Sequence, residues 1–160
     1  MLYHKVPRST TTYHDVPPKM AKESTSIRIA PDLKKELEIR ARRTGLSAAA
    51  LYERFLYEGL RHDAHPLIVF RDGAGGRRAT LVGTRLAVSQ VMDTVDAAEE
   101  RGEAAIREAA EYLGIPEGHV RACVRYYASY ADEVDEWRNR MREIADREQE
   151  VWHREQAVLA

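Results

Sequence analysis

The chain of 160 residues has one cysteine, Cys123, so it can close no disulfide within itself and offers no thiolate cluster to a metal. Its longest apolar run is Ala48–Tyr52, far short of the roughly 18 residues that a membrane-spanning helix needs. That excludes a membrane protein, and the first residues carry no apolar core of a secretory signal. Six histidines are present, but only His62 and His65 stand at a ligand-like spacing, and no carboxylate or thiolate completes a set. The run Gly73-Ala74-Gly75-Gly76 lacks the Gly-Lys-Ser/Thr of a phosphate loop and the spacing of a dinucleotide fingerprint, and it is read as a turn. No nucleophile, base and orienting group fall together, and Glu99 and Glu100 sit in a charge run that solvates a face. No catalysis, no metal and no cofactor are expected. A reducing bacterial cytoplasm suits this composition.

Charge of one sign is also missing overall: 25 Lys+Arg face 26 Asp+Glu, a formal net charge of −1. The balance is uneven along the chain. Residues 1–89 hold 16 basic and 9 acidic residues, leaving 9 and 17 for residues 90–160, so the halves carry +7 and −8. A basic front and an acidic rear suit an anionic partner at one end and a basic one at the other, although two unevenly composed solvated surfaces would read the same.

Residues 1–23 hold three prolines, a polar Ser9–Thr12 run and no hydrophobic period, and they are read as a disordered tail. Met20 stands just before the first patterned segment and is a candidate translation start. Residues 24–62 read as strand, helix, turn, helix. Ser24-Thr25-Ser26-Ile27-Arg28-Ile29 alternates with period two, so Ile27 and Ile29 share one face and Ser24, Ser26 and Arg28 the other. Pro31 and Asp32 suit a first helical turn, with Leu33, Leu37 and Ala41 inward. Gly45 suits a helix C′ position and Ser47 an N-cap. Ala50, Leu51, Phe55 and Leu56 supply the next inward stripe, which is expected to end near Gly59–Arg61. Some 39 residues with a single strand cannot satisfy that strand's backbone alone. The economical answer is a two-fold dimer with the strands paired antiparallel; pairing with a later hairpin is the alternative.

After a connector around Pro66, Leu67–Phe70 and Ala79–Val82, with Arg71–Arg78 between them, read as two strands around a turn at Gly73, Gly75 and Gly76, and Leu86-Ala87-Val88 as a third extended piece. Ser89 is expected to cap a helix reaching Arg101. A second helix spans Glu103–Leu113. A third starts with Pro116 at its first position and continues into an arm, residues 132–160, on which Trp137, Met141, Ile144 and Trp152 need a surface to cover. The fold class expected is mainly α with short β (α+β). Its parts are the tail, the 24–62 unit as a dimer, a hairpin with three helices over 66–131, and an amphipathic acidic arm.

The alternating Ser26–Ile29 strand, the Pro31…Leu33…Leu37 helix, the Gly45-Leu46-Ser47 turn and the Leu51/Phe55 helix together resemble the ribbon-helix-helix family, which includes the Arc and MetJ repressors. The resemblance covers about a quarter of the chain. It implies that paired strands enter the major groove of DNA, with Ser24, Ser26 and Arg28 facing base edges. It also implies a phosphate anchor at the start of the second helix, at Ser47 and Ala48, to which Lys34 and Arg43 add charge. Arg28 has a plainer reading as a guard on an edge strand. The stretch Leu67–Tyr130, with its hairpin, its Gly83-Thr84-Arg85 step, its Gly114–Val120 break and its Tyr126-Tyr127 ending, is similar to an antitoxin domain of VapB-type proteins, in helix-turn-helix form. A second DNA surface could then lie at Arg71, Arg77, Arg78 and Arg85, or at Arg121 and Arg125. The arm residues Trp137, Met141, Ile144 and Trp152 would hold a protein toxin of the PIN-like nuclease class. These resemblances imply a sequence-specific repressor at the nucleoid, a homodimer or dimer of dimers on double-stranded operator DNA, acting as the antitoxin that represses its own operon. The alternatives are a stand-alone regulator or DNA-organising protein, and an interaction scaffold whose ribbon only dimerises.

Overall fold

The computed structural model describes residues 26–73 and 75–159. The expectations for residues 1–23, Met20 and Ser24 lie outside them. The described residues form six helices and one small antiparallel sheet, a mainly helical α+β arrangement. No helix among them is long and apolar enough to cross a membrane.

Helix α1 spans Pro31–Thr44 and starts as its sequence dictates: Pro31 gives up an N–H that a first turn cannot pair, and Asp32 meets the positive end of the dipole. Gly45 ends it at φ 68°, its N–H returning to the carbonyls of Ala41 and Arg42. Helix α2, Ala48–Ala64, is capped by Ser47, whose Oγ accepts the Ala50 N–H at 3.1 Å. It runs past the expected end at Gly59–Arg61. Pro66 stops it instead, holding the preceding His65 at φ −134°, ψ 75°, outside the helical region. Ala41 and Leu51 are the buried contacts of this pair, and Leu37 and Phe55 are half-buried. Leu33, Ala50 and Leu56, expected inside, are exposed, as are Ile27, Ile29 and Leu60.

Strands β1, Ile68–Gly73, and β2, Gly76–Leu81, form the hairpin, in register from Ile68↔Leu81 to Gly73↔Gly76. The turn falls at the glycines, and the ladder reaches up to it through Arg71–Gly73 and Gly76–Arg78, with rungs Arg71↔Arg78 and Asp72↔Arg77. Glycines on both sides let the chain reverse within two residues, and Gly76 takes φ 110°. Asp72 and Arg77 sit in one rung and pair at 3.1 Å, which favours that register. The third extended piece is a single bridge, Thr80↔Ala87.

Helix α3, Val88–Ala97, starts one residue before the expected cap. Ser89 lies inside it and is buried, while Gln90 Oε1 accepts the Ala87 N–H at 2.9 Å. It ends short of Arg101, at an extended Ala98. Helix α4 is Glu103–Leu113, closed by left-handed Gly114. Helix α5 is Glu117–Ser129, with Pro116 as its N-cap rather than its first residue. The single long helix expected from Pro116 into the arm is broken at Tyr130 (φ −140°, ψ 45°), and α6 runs over Ala131–Leu159.

The core lies where α3, α4 and α5 close on the hairpin. Ile68, Leu81, Val88, Val91, Val120, Cys123 and Tyr126 are buried there, with Val134 from the first turn of α6. The first unit is joined to this body by more than the chain. His65 packs edge-on against Tyr126 and Tyr130 at 5.3 and 5.7 Å. Arg61 of α2 pairs with Glu133 of α6, and Glu133 also accepts the Tyr126 hydroxyl at 2.9 Å.

Candidate nucleic-acid interface

Ser26 and Arg28 lie exposed on a segment that enters α1 through an extended Ala30. The segment has no ladder partner among the described residues. Among the described residues the hairpin's strands pair with each other and, at Thr80, with Ala87, and neither pairs with this segment, so pairing with the hairpin is not how its backbone is satisfied. Ile27 is 63% exposed and Ile29 37%. An apolar face and an unpaired backbone edge thus occur on one segment, beside the exposed Leu33 of α1.

At the start of α2, Ser47 takes the Ala50 N–H, leaving the N–H groups of Ala48 and Ala49 at the open, positive end of a helix of 17 residues. Ala48 is half-buried and Ser47 exposed. Lys34 is exposed and only 4.0 Å from Glu38, a weak pairing, and Arg43 is exposed in the last turn of α1.

The second group of arginines is not one surface. Arg77 is held by both oxygens of Glu58 and by Asp72, and its guanidinium binds its proton more tightly than usual, chiefly through Glu58. Arg78 is half-buried with its guanidinium 5.8 Å from the Trp137 ring. Arg121 pairs with Glu103 and Glu117; the Arg121 hydrogen bond in turn lowers the Glu103 carboxyl below its ordinary range. Arg71, Arg85 and Arg125 remain exposed without a carboxylate partner among the described residues.

The four arm residues also separate. Trp137 is buried, and Met141 and Ile144 are half-buried. A side chain at Gly75 would strike Met141 and Trp137, so the hairpin tip seats beneath them because Gly75 has none. Trp152 is 54% exposed, beyond any contact with the body. The base of the arm is therefore part of the folded body, and its free portion begins after Ile144.

Several anchoring residues had no readable signal. Arg138, covered to nine-tenths, reaches Asp93 and Asp96 on α3 and Asp135 on α6. Sequence separations of 42 and 45 residues hide such pairings from any periodicity. Cys123 is fully buried, and burial pushes its thiol up to about 12, which leaves no thiolate for chemistry at neutral pH. Among the described residues no three His, Cys, Asp or Glu side chains are placed to hold a metal.

No family model, no curated protein and no solved structure matches the chain.

Proposed function

We propose that the chain is a homodimeric, sequence-specific DNA-binding repressor, and that it is the antitoxin of a toxin–antitoxin pair whose operon it controls. The observation that carries the reading is the segment before α1. It offers an unpaired backbone edge, an exposed apolar pair in Ile27 and Ile29, and Arg28 alternating with them. A second copy pairing antiparallel would satisfy the edge and cover the isoleucines, leaving two Arg28 side chains on the far face of a two-stranded ribbon. Such a ribbon fits the major groove, and Arg28 suits a guanine O6/N7 edge. The open N-terminus of α2 supplies a phosphate anchor beside it.

The test is binding to the protein's own upstream region and to scrambled DNA across a salt series. Arg28→Ala should cost about 1–3 kcal/mol of discrimination per contact while the dimer persists. Equal affinity of parent and variant at every salt concentration would refute the ribbon. For the partner, the informative deletion is residues 145–160 rather than 132–160, because Val134, Trp137 and Arg138 belong to the folded body. That shorter deletion should spare DNA binding and abolish toxin capture.

A stand-alone regulator is the second reading. It is favoured by the placement of Trp137 and Met141, two of the four candidate partner contacts, against the hairpin tip.

A further inference from the structure

Where α1, α2 and the hairpin meet, a cleft of about 320 Å³ is lined by Arg40, Arg43, Thr44, Arg54, Phe55, Asp72 and Arg77. Four guanidinium groups from three elements thus converge on one recess. Arg40 and Arg54 both lie on the Phe55 ring, at 5.9 and 5.3 Å from its centre. Two carboxylates answer them. Glu58 holds Arg77 and stands 3.9 Å from Arg54, and the exposed Asp72 holds Arg77 at the rim. Arg40 and Arg43 have no carboxylate partner among the described residues. The cleft therefore keeps an excess of two positive charges, with Phe55 beneath Arg40 and Arg54 and Glu58 beside Arg54 and Arg77.

We propose that this cleft is a phosphate-binding site, with Arg40 and Arg43 as its free donors and Arg54 and Arg77 as its fixed wall. Planar guanidinium forks match tetrahedral phosphate oxygens two at a time. A monoester phosphate dianion, with three terminal oxygens, can engage several forks, and a backbone diester, a monoanion with two free oxygens, can still take one fork side-on. The phosphate can come from a small phosphorylated ligand or from a DNA backbone, and the site requires neither the ribbon nor Arg28.

The experiment titrates the full chain with inorganic phosphate in chloride buffer, by calorimetry, and in parallel measures binding of a random-sequence duplex across a salt series. Arg40→Gln/Arg43→Gln breaks no ion pair among the described residues, so this double variant should fold and melt like the parent. It should weaken phosphate binding by about 10-fold for each charged hydrogen bond lost. Asp72→Asn should change it in the opposite direction, tightening binding about 2–5-fold by removing a like charge at the rim. Because Arg43 also adds charge to the ribbon's phosphate anchor, the DNA arm uses Arg40→Gln alone: if the phosphate comes from DNA, this variant should flatten the log K against log salt slope by about 0.9. If it comes from a small ligand, that slope is unchanged while phosphate binding falls. Phosphate binding equal in parent, double variant and Asp72→Asn, or no saturable phosphate binding together with an unchanged slope, would overturn the site. Neither result touches the Arg28→Ala experiment, so the two readings fail separately.

Discussion

Arg138→Met removes a cation from beneath three carboxylates while keeping much of its aliphatic length. In the native fold its Nε lies 2.9 Å from Asp93 Oδ1, its Nη2 2.9 Å from Asp96 Oδ2 and its Nη1 3.2 Å from Asp135 Oδ1, and the guanidinium lies over Tyr127 at 5.4 Å. Burial alone would lower the affinity of this group for its proton; Asp93 and Asp96 outweigh it and raise that affinity. Losing one partner of a fully buried pair costs about 3–5 kcal/mol, and an exposed pair is worth under about 1. Here the cation is covered while the carboxylates are about half in water, so the loss should be about 2 kcal/mol. For a chain of this size that is about 6 °C in Tm. A cycle with Asp93→Asn separates charge from packing. Alone, Asp93→Asn should destabilise slightly; in the Arg138→Met background it should stabilise, because it relieves three unanswered negative charges. Urea and thermal unfolding of the four proteins decide this. Arg138→Met within about 0.5 kcal/mol of the parent, or Asp93→Asn costing the same in both backgrounds, would refute the electrostatic account.

Cys123 gives a pH dependence. The unfolded thiol releases its proton near its ordinary 9.0 and the folded one near 12, so its contribution is complete below about pH 9 and is lost as pH rises towards 12. Stability should fall by about 1.4 kcal/mol per pH unit above pH 9, and Cys123→Ala should remove that slope between pH 9 and 10. Urea unfolding at pH 8, 9 and 10 checks it. Ser47→Ala should cost about 1 kcal/mol through loss of the α2 cap, measured by chemical denaturation; no change would mean that water replaces Oγ there. Gly76→Ala should cost about 1–3 kcal/mol, because an alanine is strained at φ 110°. A melting temperature equal to the parent's would show that the turn relaxes at no cost.

Elements with local signals were legible in the sequence. Pro31, Gly45, Ser47 and Gly114 punctuate the helices where capping chemistry puts them, and the periodic stretch Glu103–Leu113 is α4. What failed had competing signals. The charged, glycine-rich Arg71–Arg78 shows its turn but not how far the strands reach, which the cross-strand pairing of Asp72 with Arg77 decides. Val120 through Val134 keeps a helical period across Tyr130, so the break there, where the chain turns to bring Glu133 onto Tyr126 and Arg61, left no trace in the pattern. The apolar arm residues need cover, but no local feature of the sequence shows that Gly75 supplies it for Trp137 and Met141 and not for Trp152. The phosphate cleft was illegible for a plainer reason: its arginines come from three elements.

The connection at His65-Pro66-Leu67 has a mechanical consequence. His65 is wedged against Tyr126 and Tyr130, and the Arg61–Glu133 pair fastens the end of α2 to the first turn of α6, so the joint is stiff rather than a swivel. Helix α6 continues from that joint for 29 residues, about 43 Å at a rise of 1.5 Å each. The direction of this rod relative to α2 is therefore set by the fold of each copy. Two copies joined through their first units would carry a pair of outriggers at a fixed angle, and whatever grasps one near Trp152 would pull on α2 through a lever with almost no slack.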